Sequence, residues 1–503
     1  MRLALRPEIR ALEQELIRDG AMPSAALMET AGRGLAADIQ SRYGHVRAAR
    51  IACGRGNNGG DGFVVARYLR EAGWAVRVHL VGLLDELSGE PAAYARLYGW
   101  LGGRIEEWPE GNLPPGLPGE LQVDALLGTG LDRPVEGAYG MAVEALNDAV
   151  HKGLSAYAID VPSGLDADSG TVLGVAVEAA STGTLGVAQP GLYVTARAGD
   201  VRVIDIGLPQ SCVTRHARTA VWLAGDEPVL RLRPRAIDSH KGTFGHLLVL
   251  AGSPGKAGAA DLVCRGAIRS GAGLVTLSAP EPVRAGWPEI MHEPIERWSA
   301  DAWREGFLSR KTALAVGPGM EATDGVGDVV RAVAGVDLPL VLDADGLNVM
   351  AGQAGYDAIL ARRRSATVLT PHPAEAARLL GVDTSAVQAD RVRAVRHLAE
   401  KYRAVVVLKG ARSLVACPDG RFWINGSGSS ALAAGGMGDV LTGLIGGLLA
   451  AGYDAEHAAC IGVYAHGKAG AGHDPRDGKA GGIRAAEVAD ALPRELAALV
   501  ATS

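Results

Sequence analysis

The sequence predicts two α/β domains in tandem, and three observations carry that prediction. Short apolar runs alternate with amphipathic stretches along most of the 503 residues, which is typical of parallel strands joined by crossover helices. The 69 glycines concentrate where strands would end and helices would begin. This pattern breaks near residues 207–235, where prolines and charges interrupt it, so a domain boundary is expected there.

The first domain is expected at residues 1–215. Its strands are predicted at "RAARIACG", "AVRVHLVG", "LQVDALLG" and "SAYAIDVPSG", each ending at a turn rich in Gly, Ser or Pro. The stretch "FVVARYLREAG" has helical periodicity and is predicted to form the helix after the first of these strands.

The second domain is expected at residues 225–500 and starts the same alternation again. Its strands are predicted at "GHLLVLAGS", "LVTLSAP", "TALAVGPG", "PLVLDADG", "ATVLTPHP" and "AVVVLKGA". A helix is predicted at "GAADLVCRGAIRSGAG", and two long helices punctuated by glycine close the chain.

Composition excludes several classes of protein. The net charge is -6 at a pI near 6.1 with no basic stripe, which argues against a nucleic-acid partner. The five cysteines are scattered and never spaced as CxxC, so neither a disulfide framework nor a zinc knuckle is expected. The N-terminus lacks the apolar segment of a signal peptide, and no apolar run is long enough to span a membrane. A cytoplasmic enzyme without a membrane partner is therefore expected.

The stretch "GRGNNGGDG", Gly54–Gly62, has little side chain to pack. Bare peptide N–H groups between a strand and a helix N-terminus form a generic cradle for phosphate. The amides of Asn57 and Asn58 and the carboxylate of Asp61 supply ligands for a hard cation or for ribose oxygens. A tight structural turn is the alternative interpretation.

Other strand ends carry companion residues. Asp124 and the loop Gly128–Pro134 follow one strand, and Asp160 and Ser163 follow another. Ligands of open parallel sheets bind outside the carboxyl ends of strands, so these residues are expected to share one crevice. Taken singly, Asp124 or Asp160 could instead be a helix cap or a turn former.

The stretches "GRGNNGGDGFVVARYL", "VDALLGTGLDRPVEG" and "AIDVPSGLDADSG" together resemble the NAD(P)H-hydrate epimerase family over most of residues 1–215. The preceding "MPSAALMETAGRGLA" is similar to that family's first helix. The resemblance implies a Rossmann-like three-layer α/β/α fold. It also implies interconversion of the R and S epimers of hydrated NADH and NADPH, called NADHX and NADPHX.

By the same resemblance, the damaged cofactor would bind at Asn57, Asn58, Gly59, Gly60, Asp61, Gly128, Thr129, Gly130, Leu131, Asp132, Arg133, Pro134 and Asp160. A potassium ion would be held by Asn58, Asp124 and Ser163. Asp160 is the candidate catalytic acid or base. Gln189 departs from the family pattern, in which a lysine is expected, and this affects a peripheral contact.

A second glycine run, "AAGGMGDVLTG", places Asp439 at the start of a long apolar helix. Backbone N–H groups there suit a phosphate or a developing anion, and Asp439 could accept a proton from a substrate hydroxyl. His372 and Lys409 follow two other strands, and Lys409 could neutralise a phosphate. A cap at Asp439, a structural His372 and a snorkelling Lys409 are the alternatives.

The stretches "HKGTFGHLLVLAGSPGKAGAA", "VGPGM", "LDADGLN" and "TPHPAEAARLLG" resemble the ribokinase-like superfamily, and within it the NAD(P)H-hydrate dehydratase family. The resemblance implies removal of the ring hydroxyl as water at the expense of ADP or ATP, with magnesium bridging the phosphates. The nucleotide would bind at Lys409, Gly410, Ala411, Arg412, Ser413 and Gly438. The hydrate would bind at Ala260, Gly319, His372 and Asp439, with Asp439 as the catalytic base. Ser429 and Ala434 depart from the Asn and Thr that this family usually carries.

The two resemblances together predict a bifunctional enzyme that repairs NADHX and NADPHX, and domains of this type often form homo-oligomers. Two alternatives remain open at this point. One is a ribokinase-like kinase, such as one acting on a hydroxymethylpyrimidine, fused to an unrelated Rossmann-like domain. In the other, the first domain is a non-catalytic binding module.

Overall fold

Two α/β units form the structure, a computed structural model that describes residues 1–19, 22–300, 307–472 and 482–501. One unit is Arg2–Ala220, and the other is Val221–Ser503 together with Met1. Each unit is built around its own sheet, which is parallel in the first unit and mostly parallel in the second, so the predicted α/β fold class is confirmed.

The N-terminal unit contains a seven-stranded parallel sheet in the order β4-β3-β2-β5-β6-β7-β8. Its seven strands are β2 (Ala48–Cys53), β3 (Ala75–Leu80), β4 (Ile105–Glu107), β5 (Leu121–Ala125), β6 (Ala156–Ile159), β7 (Ser181–Leu185) and β8 (Asp200–Ile204). A two-residue strand, β1 (Arg2–Leu3), precedes them in the chain and is not part of this sheet. The order reverses between β2 and β5, which makes their carboxyl ends the expected crevice for a ligand.

Helices pack against the sheet, and the hydrophobic core lies between the helices and the sheet. They are α1 (Arg6–Arg18), α2 (Ser24–Tyr43), α3 (Asn57–Glu71), α4 (Gly89–Trp100), α5 (Gly137–His151), α6 (Gly191–Val194) and α7 (Gln210–His216). Ile51, Phe63 and Val123 are fully buried, as expected when apolar strands are covered by helices. The stretch that is similar to the family's first helix forms α2 in this chain, and α1 is an additional helix before it.

The C-terminal unit has a mixed sheet in the order β9-β18-β17-β16-β15-β14-β13-β10-β11-β12. Its strands are β9 (Ala220–Leu223), β10 (His246–Leu250), β11 (Leu274–Ser278), β12 (Met291–His292), β13 (Ala313–Val316), β14 (Leu340–Leu342), β15 (Thr367–Leu369), β16 (Val405–Leu408), β17 (Leu414–Ala416) and β18 (Phe422–Asn425). Pairing is parallel from β12 across to β16 and antiparallel at β16–β17 and β17–β18.

The helices of this unit include an almost wholly apolar one, α15. They are α8 (Ala257–Arg269), α9 (Asp324–Ala334), α10 (Asp345–Gly352), α11 (Tyr356–Ala361), α12 (Pro373–Leu380), α13 (Thr384–Ala389), α14 (Arg391–Tyr402), α15 (Met437–Ala450), α16 (Ala455–Ala471) and α17 (Ala485–Ala497).

Glycines let α15 and α8 approach closely. A Cβ on Gly443 would overlap the Val263 carbonyl, and a Cβ on Gly266 would overlap the Val440 carbonyl. The glycine punctuation of the long helix therefore serves helix packing after its first turn.

None of the described helices is both long enough and apolar enough to cross a bilayer. The five cysteines are free and buried. Burial raises the pKa of the thiols of Cys53, Cys264, Cys417 and Cys460.

Candidate functional sites

A cleft of about 910 Å³ opens at the carboxyl ends of β2, β5 and β6, where the order of the N-terminal sheet reverses. We call it the N-terminal cleft. Of the residues predicted from the sequence, its lining includes Asn57, Asn58, Asp61, Gly128, Thr129, Gly130, Leu131, Asp132, Arg133, Pro134 and Asp160. Helix α1 adds Arg6, Arg10 and Glu13, which the sequence reasoning missed.

The glycine-rich stretch is helical in the structure. Helix α3 begins at Asn57, although the sequence pattern places Asn57–Gly62 in a loop before the helix. Gly59 and Gly60 lie in the first turn of α3 and are buried, and neither lines the cleft. A Cβ on Gly59 would overlap the Gly54 carbonyl, so this glycine permits a close backbone approach. Asn57 and Asn58, whose backbone N–H groups have no partner within the helix because they begin it, do line the cleft.

Asp160 lies in a strained backbone conformation at the end of β6. Its φ of 63° is uncommon for a non-glycine residue, and such strain is concentrated at functional sites. Its Oδ1 accepts weak hydrogen bonds from the Thr184 hydroxyl at 3.4 Å and the Leu185 amide at 3.5 Å. Burial raises the pKa of Asp160 to about 6.

Two other carboxyls share this part of the cleft. Burial and the neighbouring Asp160 charge raise the pKa of Asp61 well above its ordinary range. The same two causes raise the pKa of Glu13. Burial therefore favours the protonated form of all three carboxyls of this cleft, Glu13, Asp61 and Asp160.

Asp124 and Ser163 form a buried pair behind the cleft wall. The Ser163 hydroxyl and amide donate to the Asp124 carboxylate at 2.6 and 2.7 Å. Burial raises the pKa of Asp124 to about 6, although the hydrogen bonds from Ser163 oppose that shift. Asn58, the third residue predicted to hold potassium, is buried, and both polar atoms of its side chain lack a hydrogen-bond partner among the described residues.

Gln189 replaces the expected lysine without leaving a gap. It is buried, its Oε1 accepts from the Thr184 hydroxyl at 3.0 Å, and its Nε2 donates to the Val187 carbonyl at 3.2 Å. The single hydrogen of the Thr184 hydroxyl is shared between Gln189 Oε1 and Asp160 Oδ1, so Gln189 is linked to the candidate catalytic carboxyl.

The C-terminal unit gathers three carboxyls and one lysine at the carboxyl ends of its strands. We call Asp343, Glu375, Lys409 and Asp439 the carboxylate–lysine cluster. Lys409 Nζ lies 2.6 Å from Asp343 Oδ1 and 3.8 Å from Glu375 Oε2. A Cβ on Gly438 would lie 3.3 Å from Lys409 Nζ, so these two residues, both predicted to bind the nucleotide, lie close together.

Asp439 is the third residue of α15, after Gly436 in the left-handed conformation (φ 85°). Burial, followed by the Asp343 charge, raises the pKa of Asp439 to about 7, and Lys409 opposes the shift. Lys409 has a raised pKa because Asp343 and Glu375 outweigh the effect of its burial. A carboxyl of raised pKa and a lysine of raised pKa thus lie close together at the start of α15.

The remaining residues of the predicted nucleotide site form a hairpin turn between β16 and β17. Gly410 has a φ of 141°, and the Arg391 guanidinium donates to the Ala411 carbonyl at 2.6 Å. Arg412 stacks over the Trp222 ring at 4.8 Å, and the Ser413 hydroxyl donates to the Gly410 carbonyl at 3.1 Å.

His372 is the N-cap of α12. Its Nδ1 accepts from the amides of Ala374 and Glu375, and Glu375 Oε2 in turn accepts from the His372 amide at 2.8 Å. Burial and then the Lys409 charge lower the pKa of His372. The imidazole therefore has a structural role, which leaves its predicted role in binding the hydrate as a proposal.

Ala260 and Gly319 lie where the order of the C-terminal sheet reverses, between β10 and β13. Ala260 is fully buried in α8. Gly319 (φ 68°) follows β13, and a Cβ there would lie 3.0 Å from Ala259. Two residues depart from the family pattern. Ser429 caps a short 3₁₀ turn, because its side chain accepts a hydrogen bond from the Ala431 amide, and Ala434 is exposed.

The C-terminal unit also contains a candidate residue that the sequence did not indicate. His466, in α16, is buried, its Nε2 has no hydrogen-bond partner among the described residues, and it contacts the Met437 backbone at the start of α15. Burial lowers the pKa of His466 to about 4, so the imidazole is neutral at physiological pH. His466 lies within an apolar helical pattern, which in the sequence indicates a buried helix and not a functional residue.

Both units thus place helix N-termini, glycine turns and carboxyls of raised pKa at the carboxyl ends of parallel strands. This arrangement defines a two-domain α/β enzyme whose sites suit phosphorylated small molecules.

Comparisons with known proteins identify the family. A family profile described as YjeF-related protein N-terminus matches residues 24–191, and one described as NAD(P)H-hydrate dehydratase matches residues 247–494. The chain is 37% identical to a bifunctional NAD(P)H-hydrate repair enzyme of Coxiella burnetii, over 97% of each chain. It is 38% identical to that of Thermofilum pendens, over 99% of this chain and 97% of the other. The chain belongs to the family of bifunctional NAD(P)H-hydrate repair enzymes.

A solved structure supports the assignment of the C-terminal unit. The ADP/ATP-dependent NAD(P)H-hydrate dehydratase of Bacillus subtilis, co-crystallised with ATP and Mg²⁺, is 35% identical and has a TM-score of 0.50. The match covers 56% of this chain and 98% of that one. These comparisons do not favour a fused small-molecule kinase with a non-catalytic first domain.

Proposed function

We propose that this chain interconverts the R and S epimers of NADHX and NADPHX in its N-terminal cleft. We further propose that its C-terminal unit dehydrates the S epimer at the expense of ADP. The observation that carries the proposal is the pairing, in each unit, of a helix N-terminus with a carboxyl whose pKa is raised to about 6 or 7. The family to which the chain belongs supports both activities.

In the N-terminal cleft, the pyrophosphate would bind against the first turn of α3 and the loop Gly128–Pro134, where Arg133 can pair with phosphate. Asp160 would then face the hydrated ring and move the proton of the hydroxyl or of the carbon that carries it. A carboxyl with a pKa near 6 is suited to giving and taking a proton at neutral pH.

The residues assigned to potassium fit a cation. Asn58 has a buried side-chain oxygen without a partner among the described residues, and Asp124 is a buried carboxylate supported by Ser163. Oxygen ligands of this kind suit a hard cation. When bound, potassium would supply positive charge near the phosphates, with Asn58, Asp124 and Ser163 holding it.

In the C-terminal unit, the magnesium–ADP complex would bind as co-substrate against Lys409–Ser413 and the N-terminus of α15. The relative from Bacillus subtilis was crystallised with ATP and Mg²⁺. The substrate hydroxyl oxygen would attack the terminal phosphorus while its proton passes to Asp439, and the bond to the leaving nucleotide would break. Loss of a ring proton together with inorganic phosphate would then restore the nicotinamide.

We also propose that the enzyme acts on small molecules in the cytoplasm as a homo-oligomer, with no nucleic-acid or membrane partner. The net charge of -6 supports the absence of a nucleic-acid partner.

The test uses purified protein, magnesium, ADP and mixed NADPHX epimers, with the absorbance of reduced nicotinamide as readout. The wild type is expected to convert both epimers. Asp160→Asn is expected to slow epimerisation at least about 100-fold, so that conversion stalls at the S fraction apart from spontaneous exchange. Asp439→Asn is expected to equilibrate the epimers while producing NADPH at least about 100-fold more slowly.

Each variant is the control for the other, because both activities are measured on one chain. Full conversion at the wild-type rate by Asp160→Asn would overturn the assignment of the epimerase site. NADPH formation at the wild-type rate by Asp439→Asn would overturn the assignment of the dehydratase base.

A further inference from the structure

Asp343, which follows β14, joins two elements of the C-terminal unit through its carboxylate. It is 1% exposed, its Oδ1 accepts from Lys409 Nζ at 2.6 Å, and its Oδ2 accepts from the Thr442 hydroxyl at 2.6 Å. Lys409 follows β16 and Thr442 lies in α15. The carboxylate therefore ties the lysine to the helix that carries Asp439.

The backbone around Asp343 is strained. Ala344, the next residue, has φ 48° and ψ −119°, a combination that L-residues rarely adopt. Such strain persists only where the surroundings enforce it, and it is concentrated at functional sites. The strained turn directs Asp343 to the cluster and lets α10 start at Asp345.

The partner that Asp343 holds would otherwise face other carboxylates. Lys409 lies 3.8 Å from Glu375, and it is close enough to Asp439 for the charge of that residue to raise its pKa. A lysine freed from Asp343 would therefore turn toward Glu375 or Asp439. An ion pair with Asp439 would stabilise the ionised carboxylate and weaken it as a base.

We propose that Asp343 is a positioning residue of the dehydratase reaction, which holds Lys409 away from Asp439 so that Asp439 remains a strong base. The proposal deepens the proposed function and rests on the role of Asp439 as the base. Asp343 itself touches neither the hydrate nor the nucleotide in this scheme.

Charged groups from four elements act on Asp439. Asp343 after β14, Asp345 in α10 and Glu375 in α12 raise its pKa, and Lys409 after β16 lowers it. Two imidazoles complete the surroundings: His466 contacts the start of α15, and His372 lies beside Lys409 at the start of α12. Burial is the largest cause of the raised pKa of Asp439, and Asp343 is the second.

The test compares pH profiles of dehydration, measured as kcat/KM for the S epimer at saturating magnesium–ADP. Asp343→Asn removes the charge and keeps the shape. It is expected to move the acid limb of the profile to lower pH by about one unit and to lower the plateau. Asp345→Asn is the matched control, because Asp345 makes no ion pair with Lys409 and its effect on Asp439 is smaller; its limb is expected to move less.

Asp343→Asn could fail to fold, and loss of ADP binding in calorimetry would reveal this. A second pair of variants keeps the proposal testable in that case. Thr442→Val removes one anchor of Asp343 and is expected to shift the limb in the same direction, whereas Thr442→Ser is expected to keep the wild-type midpoint. A purely structural role predicts a rate that falls equally at every pH. Unshifted limbs in both Asp343→Asn and Thr442→Val therefore overturn the proposal.

The outcome is separable from that of the proposed function. If Asp439→Asn dehydrates at the wild-type rate, the proposed base fails and this inference falls with it. If Asp439→Asn is inactive and Asp343→Asn keeps the wild-type limb, only the role of Asp343 is overturned.

Discussion

Single carboxyls are the chemically distinctive residues of both units. Asp160 and Asp439 each follow a strand or a glycine turn, and that pattern in the sequence predicted them as site candidates. Their raised pKa values could not be predicted from sequence, because burial is the largest cause in both cases and arises only from tertiary packing. The same is true of Asp61, whose pKa responds to Asp160 across the cleft.

The raised pKa of Asp439, the proposed base, also affects stability. Its pKa is about 7 in the folded chain against an ordinary 3.8, so ionising it in the fold costs free energy. This free-energy cost is absent below pH 4, grows as the pH rises toward 7, and is constant at its full value above pH 7. Asp439→Asn is therefore expected to raise the free energy of unfolding of the C-terminal unit by about 2 kcal/mol at pH 8, and by less at pH 5.

Thermal unfolding of the wild type and Asp439→Asn at both pH values is the measurement. An equal gain at pH 5 and pH 8 would contradict the electrostatic explanation and indicate better packing of the amide instead.

At the scale of elements, the strands were predictable and the start of one helix was not. Apolar runs such as "RAARIACG" become strands buried on both faces, so β2 lies where the pattern placed it. Helix α3, however, begins at Asn57, within a stretch whose glycines disfavour helix. Close backbone approach at Gly59 and burial of Asn58 and Asp61 override that weak local preference.

The first turn of α3 makes a testable contrast between two glycines. Gly59→Ala is expected to abolish epimerisation and to destabilise the N-terminal unit by about 3 kcal/mol or more, because its Cβ would overlap the Gly54 carbonyl. Gly130→Ala is the matched control in the same cleft, since no atom lies within 4 Å of a Cβ there. Epimerisation rates and thermal unfolding are the readouts.

Gly130→Ala is expected to unfold within about 0.5 kcal/mol of the wild type. Two variants with the same stability and the same activity would show that the close approach at Gly59 has no consequence for the turn.

Some elements gave little signal in the sequence. Helix α1 contributes Arg10 and Glu13 to the cleft, but no motif marks it as part of a site. The antiparallel pairing of β17 and β18 follows from tertiary pairing rather than from strand periodicity, which is the same in both orientations.

At the scale of the whole molecule, each unit contains its own set of site residues. The N-terminal cleft is lined entirely by residues of Arg2–Ala220, and the carboxylate–lysine cluster belongs to Val221–Ser503. Single substitutions are therefore expected to separate the two activities of the chain.

Separate sites predict complementation between chains. A mixture of Asp160→Asn and Asp439→Asn proteins is expected to convert both NADPHX epimers fully, because one chain supplies epimerisation and the other supplies dehydration. The rate of NADPH formation after the initial S fraction is consumed is the measurement, and each variant alone is its control. A mixture no faster than Asp160→Asn alone would indicate that substrate must pass between sites of one chain.

The burial of every cysteine also affects how readily oxidants react with the protein. The thiolate is the form that peroxides and alkylating agents attack, and it is scarce where a thiol is buried and its pKa is raised. The folded chain consequently offers such reagents few targets. We therefore expect the enzyme to keep its activity when it is exposed to peroxide or to an alkylating agent.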